Sequence, residues 1–423
     1  MALAFNKQKL SDGVNFTSIT DTRFKTNFIA INLITELNAD TATANAIIPS
    51  VLSRSNSTYK TITEINKKLI ALYGASINGD VSKMGDSQCV TMSASCIADT
   101  YTFNDEKITA DLTDILLECL LSPNVENGEF SQKNFELNKQ ELIDDIDAEI
   151  NEKRSYAVIC ASKRIFDGES AAITSHGDKE HAVALNPKVS YEQYKILLKT
   201  SQIEIFFVGG GNPNDVKEKF EKAFKCLDRE FKGFAKSAKS KLKSTICEAT
   251  DTLDVAQSKM VMAFKTEDAN IPSVKLMNSI FGQTPFSKLF TNVREKLSLC
   301  YYCSSGYEER KGVLIVDSGV EHENIEKARV EIINQLNEVS SGNFTEEETN
   351  NSLLSLINNH KAVNDSPYAL ANWYLLQAYN GTTFTPEQEI DRIKSVTRDD
   401  IITAAKSFKL DTVYVLTKKG GDK

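Results

Sequence analysis

The sequence predicts an α+β fold made of two related halves, each a mainly antiparallel sheet covered by helices. Three observations carry this reading. Strand-like runs come in pairs joined by tight turns, and polar-faced helices follow them in blocks, unlike the strict alternation of a doubly wound parallel sheet. One helix–strand unit also recurs about 207 residues along the chain, the kind of self-similarity that marks an internal repeat.

The first half opens with the alternating strand Lys25 to Leu37. A helix-start signal, Asp40-Thr-Ala-Thr, then leads into Ala46-Ile-Ile-Pro-Ser-Val-Leu-Ser-Arg-Ser-Asn56. A proline inside a helix removes a backbone donor and costs about 3 kcal/mol, so a kink is expected at Pro49 unless it sits near the first turn. Strands Ile77 to Met84 and Gln88 to Cys96 come next, then helices from about Asp105 to Leu121 and Ser131 to Lys153. A helix capped at Ser190 and the strand Ile203 to Val208 close this half.

The second half repeats the plan. Its opening strand is Val255 to Lys265, its strand pair Leu299 to Gly306 and Val313 to Val320, and its helices run from about Asn324 to Val339 and Thr345 to Lys361. A helix capped at Thr397 and the strand Thr412 to Leu416 end it. Ser or Thr at a helix start supplies an oxygen to an unpaired backbone amide, and acidic residues in the first turn suit the helix dipole. Domains 1–225 and 248–423 are therefore expected about a Lys- and Ser-rich linker, 226–247. Its basic run, Lys232 to Lys243, reads as a solvated connector.

A chain of 423 residues has room for two or three cores, and 41% hydrophobic with 25% charged residues is ordinary for a globular protein. The net charge of −9 argues against a nucleic-acid or anionic-membrane surface. Residues 1–10 have neither the basic start nor the apolar core of a signal peptide, and no apolar run approaches membrane-spanning length. Eight cysteines are scattered through mostly apolar runs, as in a reduced cytoplasmic protein. The cytoplasm is the expected location.

Most candidate motifs reduce to bland readings. His176 and His181 are spaced unlike a helical zinc pair, and His322 and His360 lack a second ligand nearby. Cys300-Tyr-Tyr-Cys303 lies within a strand pattern, where residues three apart point to opposite faces. Val208-Gly-Gly-Gly-Asn-Pro-Asn-Asp215 is a strand-to-helix turn without the lysine of a phosphate loop. Residues 287–302 differ. A helix from about Ser287 would put Leu289, Val293 and Leu297 on one face and Arg294 on its last turn, with Tyr301 opening the next strand. A guanidinium fork and a phenol could then converge on peptide carbonyls or carboxylates. A surface arginine paired with Glu295 beside a half-buried tyrosine remains open on these residues alone.

The segment Ser287-Lys-Leu-Phe-Thr-Asn-Val-Arg-Glu-Lys-Leu-Ser-Leu-Cys-Tyr-Tyr302, the two-fold repeat and Arg23-Phe-Lys-Thr-Asn27 together resemble the pitrilysin-type zinc metallopeptidases, which include mitochondrial processing peptidase and insulin-degrading enzyme. The resemblance covers nearly the whole chain. It implies that the two halves form one wall of a closable, clam-like chamber, with Arg294 and Tyr301 as the pair that holds substrate peptide. The family's HxxEH zinc motif falls, by placement, on Ala46, Pro49 and Ser50, none of which can bind zinc or take a proton from water. Glu141 and Glu149 lie where the family brings a third ligand, but one carboxylate does not hold the metal. No catalytic residue and no metal are thus expected in this chain.

The resemblance therefore implies a non-catalytic, substrate-binding subunit of a heterodimeric zinc metallopeptidase. A homologous partner bearing HxxEH would hold the zinc, and self-pairing is the expected alternative for the isolated chain. The alternative is a structural or peptide-binding scaffold with no proteolytic role.

Overall fold

The computed structural model describes residues 4–231, 233–234, 237–267 and 270–418. Two sheets organise it, in two compact units.

The first sheet has six strands: β1 (Ala4–Ser11), β2 (Val14–Thr20), β3 (Thr26–Glu36), β4 (Ser76–Met84), β5 (Ser87–Ile97) and β6 (Gln202–Gly209). Their order is β1-β2-β6-β3-β5-β4, with only β2 and β6 parallel. The central strand β3 is almost continuously buried, because both its faces are covered. Ile29, Ile31 and Leu33 join a core with Ile47, Ile48, Val51 and Leu52 of the helix Ala39–Arg54. On the same sheet, Phe28 meets Tyr368 and Phe5 meets Tyr374, both from the helix Pro367–Asn380.

The second sheet has five strands: β7 (Cys247–Thr252), β8 (Ser258–Lys265), β9 (Cys300–Glu308), β10 (Val313–Val320) and β11 (Lys409–Thr417). Their order is β9-β10-β8-β11-β7, with only β11 and β7 parallel. Met260, Met262 and Phe264 of β8 pack into one core with Val274 and Ile332. The alternate residues Val261 and Ala263 pack with Ala157, Ala161 and Ile165 of the helix Lys153–Ile165.

The compact units are composite. One comprises 1–147, 173–236 and 364–383, and the other 148–172, 237–363 and 384–423. A division in chain order, 1–225 and 248–423, would assign residues 148–172 and 364–383 the other way. Each of these segments supplies a helix to a sheet built largely from the other half of the chain.

The linker 226–247 lies partly outside the described residues; from Ser237 on most of it is exposed, but a few of its residues are anchored inside. Asp411 is fully buried, and the Lys243 ammonium binds it at 2.8 Å and that of Lys265 lies at 3.3 Å. Lys243 Nζ also donates to the Ile165 carbonyl, and Ser240 is buried. Lys243 is held inside because a buried carboxylate and a neighbouring carbonyl need donors. Two expected caps also move. The helix Pro187–Thr200 is capped by Asn186, and Ser190 is buried inside it. The helix Ala39–Arg54 is capped by Asn38, whose side chain accepts from the Asp40 amide. In each case an earlier Asn already offers the oxygen that the first free amides require.

Candidate functional site

The stretch expected to hold the degenerate zinc motif, Ala46 to Ser50, is a closed piece of packing. The helix Ala39–Arg54 runs unbroken through Pro49, and Ala46 and Pro49 are buried while Ser50 is partly so. Pro49 presses on β4 at Gly79: a Cβ there would lie 2.5 Å from the Pro49 carbonyl carbon and 2.8 Å from its Cβ. Only a residue without a side chain permits that approach. Where the family's carboxylate would need room for a metal and a water, this chain has helix against strand.

Neighbouring polar groups on the helix are used up by amides. Asn45 donates to Gln88 at 2.9 Å and accepts from Gln193 at 2.9 Å. Gln88 in turn donates to the Ala42 carbonyl, and Thr43 accepts from the Asp178 amide. Glu141 is ion-paired with Arg54 at the end of the helix, and Glu149 lies in the segment that belongs to the other unit. Among the described residues no group of three or more His, Cys, Asp or Glu side chains is placed to hold a metal ion. Gln88 and Gln193 had no signal in the sequence; ordinary amides become partners only through sheet pairing and helix packing.

The Arg/Tyr segment departs from the expected α-helix. Residues Leu289–Lys296 form a π-helix, and a second π-helix spans Ser279–Gln283. The Leu297 amide accordingly reaches back five residues to the Asn292 carbonyl, and Ser298 follows at φ +51°. The wider winding keeps Leu289 and Val293 buried but turns Leu297 outward, to 50% exposure, where an α-helix would have kept all three inside. Such helices are rare and concentrate at functional sites.

Strand β9 carries the second irregularity. Cys300 faces Val320 and Tyr302 faces Gly319, so Tyr301 is an extra residue with no opposite number, a β-bulge. The bulge throws the Tyr301 side chain outward, 68% exposed, and frees its carbonyl. Arg294 Nε donates to that carbonyl at 2.9 Å, while the guanidinium lies 4.5 Å from the centre of the Phe290 ring. Arg294 and Tyr301 are thus brought together through the main chain. Among the described residues Arg294 makes no ion pair with Glu295, and Tyr301 is not half-buried. The Arg294 Nη groups have no protein hydrogen bond among the described residues and remain on an exposed surface.

The bulge also corrects the expected geometry of the CxxC. Cys303 faces Ser318 and Cys300 faces Val320, two residues apart on β10, so both cysteines point to one face and both are buried. Beside them lies a cation–aromatic cluster that the sequence did not reveal. The Arg154 guanidinium stacks 4.2 Å above the Tyr302 ring and pairs with Asp317, and Lys259 Nζ lies 5.5 Å from the same ring. Gly319 makes this possible, since a Cβ there would come within 2.5 Å of Tyr302 Cε1. Burial first, then Asp317, raises the Tyr302 phenol above its ordinary range.

Comparison with known proteins bears on the family and the fold. The family model described as "Peptidase M16 inactive domain" matches residues 184–356. The chain is similar to "Probable inactive metalloprotease YmfF" of Bacillus subtilis, 28% identical over 398 residues and 93% of each chain. A conserved protein from Enterococcus faecalis superposes with a TM-score of 0.90 at 27% identity, covering 99% of this chain and 100% of that one. A peptidase M16 inactive domain from Pseudomonas fluorescens gives a TM-score of 0.81 at 13% identity over 99% of both chains, and shows the fold alone. With the helix Ala39–Arg54 packed closed against β4, the chain is similar to inactive members of the M16 peptidase family, over residues 184–356 by the family model and over nearly its whole length by the Bacillus relative.

Proposed function

We propose that the chain is the non-catalytic, substrate-binding subunit of a heterodimeric zinc metallopeptidase. Arg294 binds carbonyl or carboxylate groups of the peptide, and Tyr301 offers one more donor near the scissile region. A homologous partner bearing HxxEH supplies the zinc and the general base. The observation that supports this most is a guanidinium fixed through Nε, with both Nη groups exposed, beside a tyrosine that a bulge turns to solvent. Both sit on irregular backbone, and such backbone persists where a site over-determines it. We place this activity in the cytoplasm, since all eight cysteines are free thiols.

The test is reconstitution. The full chain is mixed with an HxxEH-bearing homologue from the same cell, and hydrolysis of a quenched fluorescent peptide is followed. The pair should turn over where each chain alone does not. Arg294→Ala should lower kcat/KM of the pair by about tenfold to a hundredfold, the loss of hydrogen bonds from a charged donor. An unchanged kcat/KM removes the role given to Arg294. Peptide binding by the chain alone, with no HxxEH chain among its co-purifying proteins, would favour the scaffold reading instead.

A further inference from the structure

We propose that Cys300 and Cys303 are a reversible dithiol–disulfide pair, closed by peroxide-class oxidants, at the base of the segment that carries Arg294 and Tyr301. The bulge at Tyr301 is what makes the pair. In a regular strand the two side chains would lie on opposite faces; here they face Val320 and Ser318 and enter the same core. Same-face neighbours along a strand have Cα atoms roughly 6.5 Å apart, within the span of about 4.4–6.8 Å that a disulfide bridges.

The surroundings favour one thiolate over its neighbours. The hydrogen bond with Cys303 is the main cause that holds Cys300 below the ordinary thiol range; burial opposes it, and Ser318 and the Arg294 charge add to it. Cys303 is correspondingly raised, by the same bond and by burial. Elsewhere burial dominates. It pushes Cys89 up to about 12 and Cys119 to about 11, so those thiols stay protonated.

The chemistry balances with hydrogen peroxide as oxidant. The Cys300 thiolate attacks one peroxide oxygen; the S–O bond forms, the O–O bond breaks, and hydroxide leaves to be protonated to water. The Cys303 sulfur then attacks the Cys300 sulfenic acid; the S–S bond forms, the S–O bond breaks, and a second water carries away the Cys303 proton. Two electrons leave the dithiol and reduce the peroxide. The proposal reads thiol chemistry alone and does not depend on peptide binding.

The full reduced chain is exposed to hydrogen peroxide, its remaining thiols are alkylated after denaturation, and non-reduced peptides are weighed. The peptide containing Cys300 and Cys303 should lose two hydrogens at least about tenfold faster than Cys89 or Cys119 is oxidised, and dithiothreitol should restore it. In Cys303→Ser, Cys300 should accumulate as a sulfenic acid that dimedone traps, which the wild-type chain should not show. Oxidation of the pair no faster than Cys89 would overturn the proposal, as would Cys300 ending as sulfinic acid with Cys303 unaltered. The wild-type time course decides the matter even if the variant does not fold.

Discussion

Gly79→Ala tests whether the zinc position is closed. The new methyl would lie 2.5 Å from the Pro49 carbonyl carbon and 2.8 Å from its Cβ, against ordinary contacts of 3.4–4 Å. The obstacle is backbone and a rigid ring, so neither can rotate away; the helix must retreat by about 1 Å, which forfeits a quarter to a half of the dispersion energy along that contact. Overpacking of this kind costs about 1–3 kcal/mol, and a contact with main chain belongs at the upper end. For a domain of 150–250 residues about 3 kcal/mol lowers Tm by roughly 6–12 °C. Circular dichroism on heating, with urea titration to check that the m-value is unchanged, measures it. A variant as stable as the wild type would mean that the helix and strand leave a gap, and the account of a sealed site would fail.

Four further outcomes follow from the same structure. Introducing the motif as Ala46→His, Pro49→Glu and Ser50→His should leave zinc below one ion per chain by elemental analysis, because Ala46 and Pro49 are buried and Pro49 is pressed against Gly79; stoichiometric zinc would refute this. Asp411→Ala should cost about 3–5 kcal/mol in a urea titration, since it strands Lys265 in the interior without its counter-ion. Leu297→Gln should change stability by less than about 0.5 kcal/mol, whereas Val293→Ala costs about 1–3 kcal/mol; equal losses would restore an α-helix to the segment. Acid should unfold the chain late. Burial alone would raise the carboxyls of Asp411 and Glu389, but bonds and charges from Lys243 and Thr412, and from Lys275 and Arg392, leave both below their ordinary values. A depressed folded pKa gives stability that is full above the unfolded value and lost below it, so ΔG should hold down to about pH 5 and fall below about pH 4.

How much of this was legible follows from which forces act locally. Strand β3 and the helix Glu346–Ala362 were read to within a residue or so, because continuous burial and a Thr345 capping box leave marks in neighbouring residues. The π-helix at Leu289–Lys296 was not, since its period differs from α by less than one short segment can reveal. The bulge at Tyr301 was likewise hidden, because register depends on where β10 pairs. The peripheral strands β1, β2 and β7 were missed as well. β1 and β7 are largely exposed or only alternately buried and lack a long apolar run, whereas β2 is buried and hides behind polar residues such as Asn15, Thr17 and Ser18. For the candidate site, Arg294 and Tyr301 were found through a local motif, while Arg154, which stacks on Tyr302, comes from a distant helix and left no trace.

The polar atoms around Asn45 and those of Arg294 are treated in opposite ways, and the contrast bears on which of the two places the proposed function can use. On the helix Ala39–Arg54, Asn45 is buried with its donor on Gln88 and its acceptor on Gln193. A ligand arriving there would have to break bonds worth about 1 kcal/mol each before making any of its own, on top of prising Pro49 off Gly79. At Arg294 the accounting reverses. The Nε bond to the Tyr301 carbonyl and the Phe290 ring fix the guanidinium plane, so little side-chain entropy is left to lose, and no protein acceptor among the described residues competes for the Nη donors. On the proposed reading, a peptide carbonyl or carboxylate would displace only water there. Such a difference does not arise from packing alone, because a surface arginine with Glu295 next in sequence has an easy partner, yet the π-helix and the bulge orient it toward Tyr301.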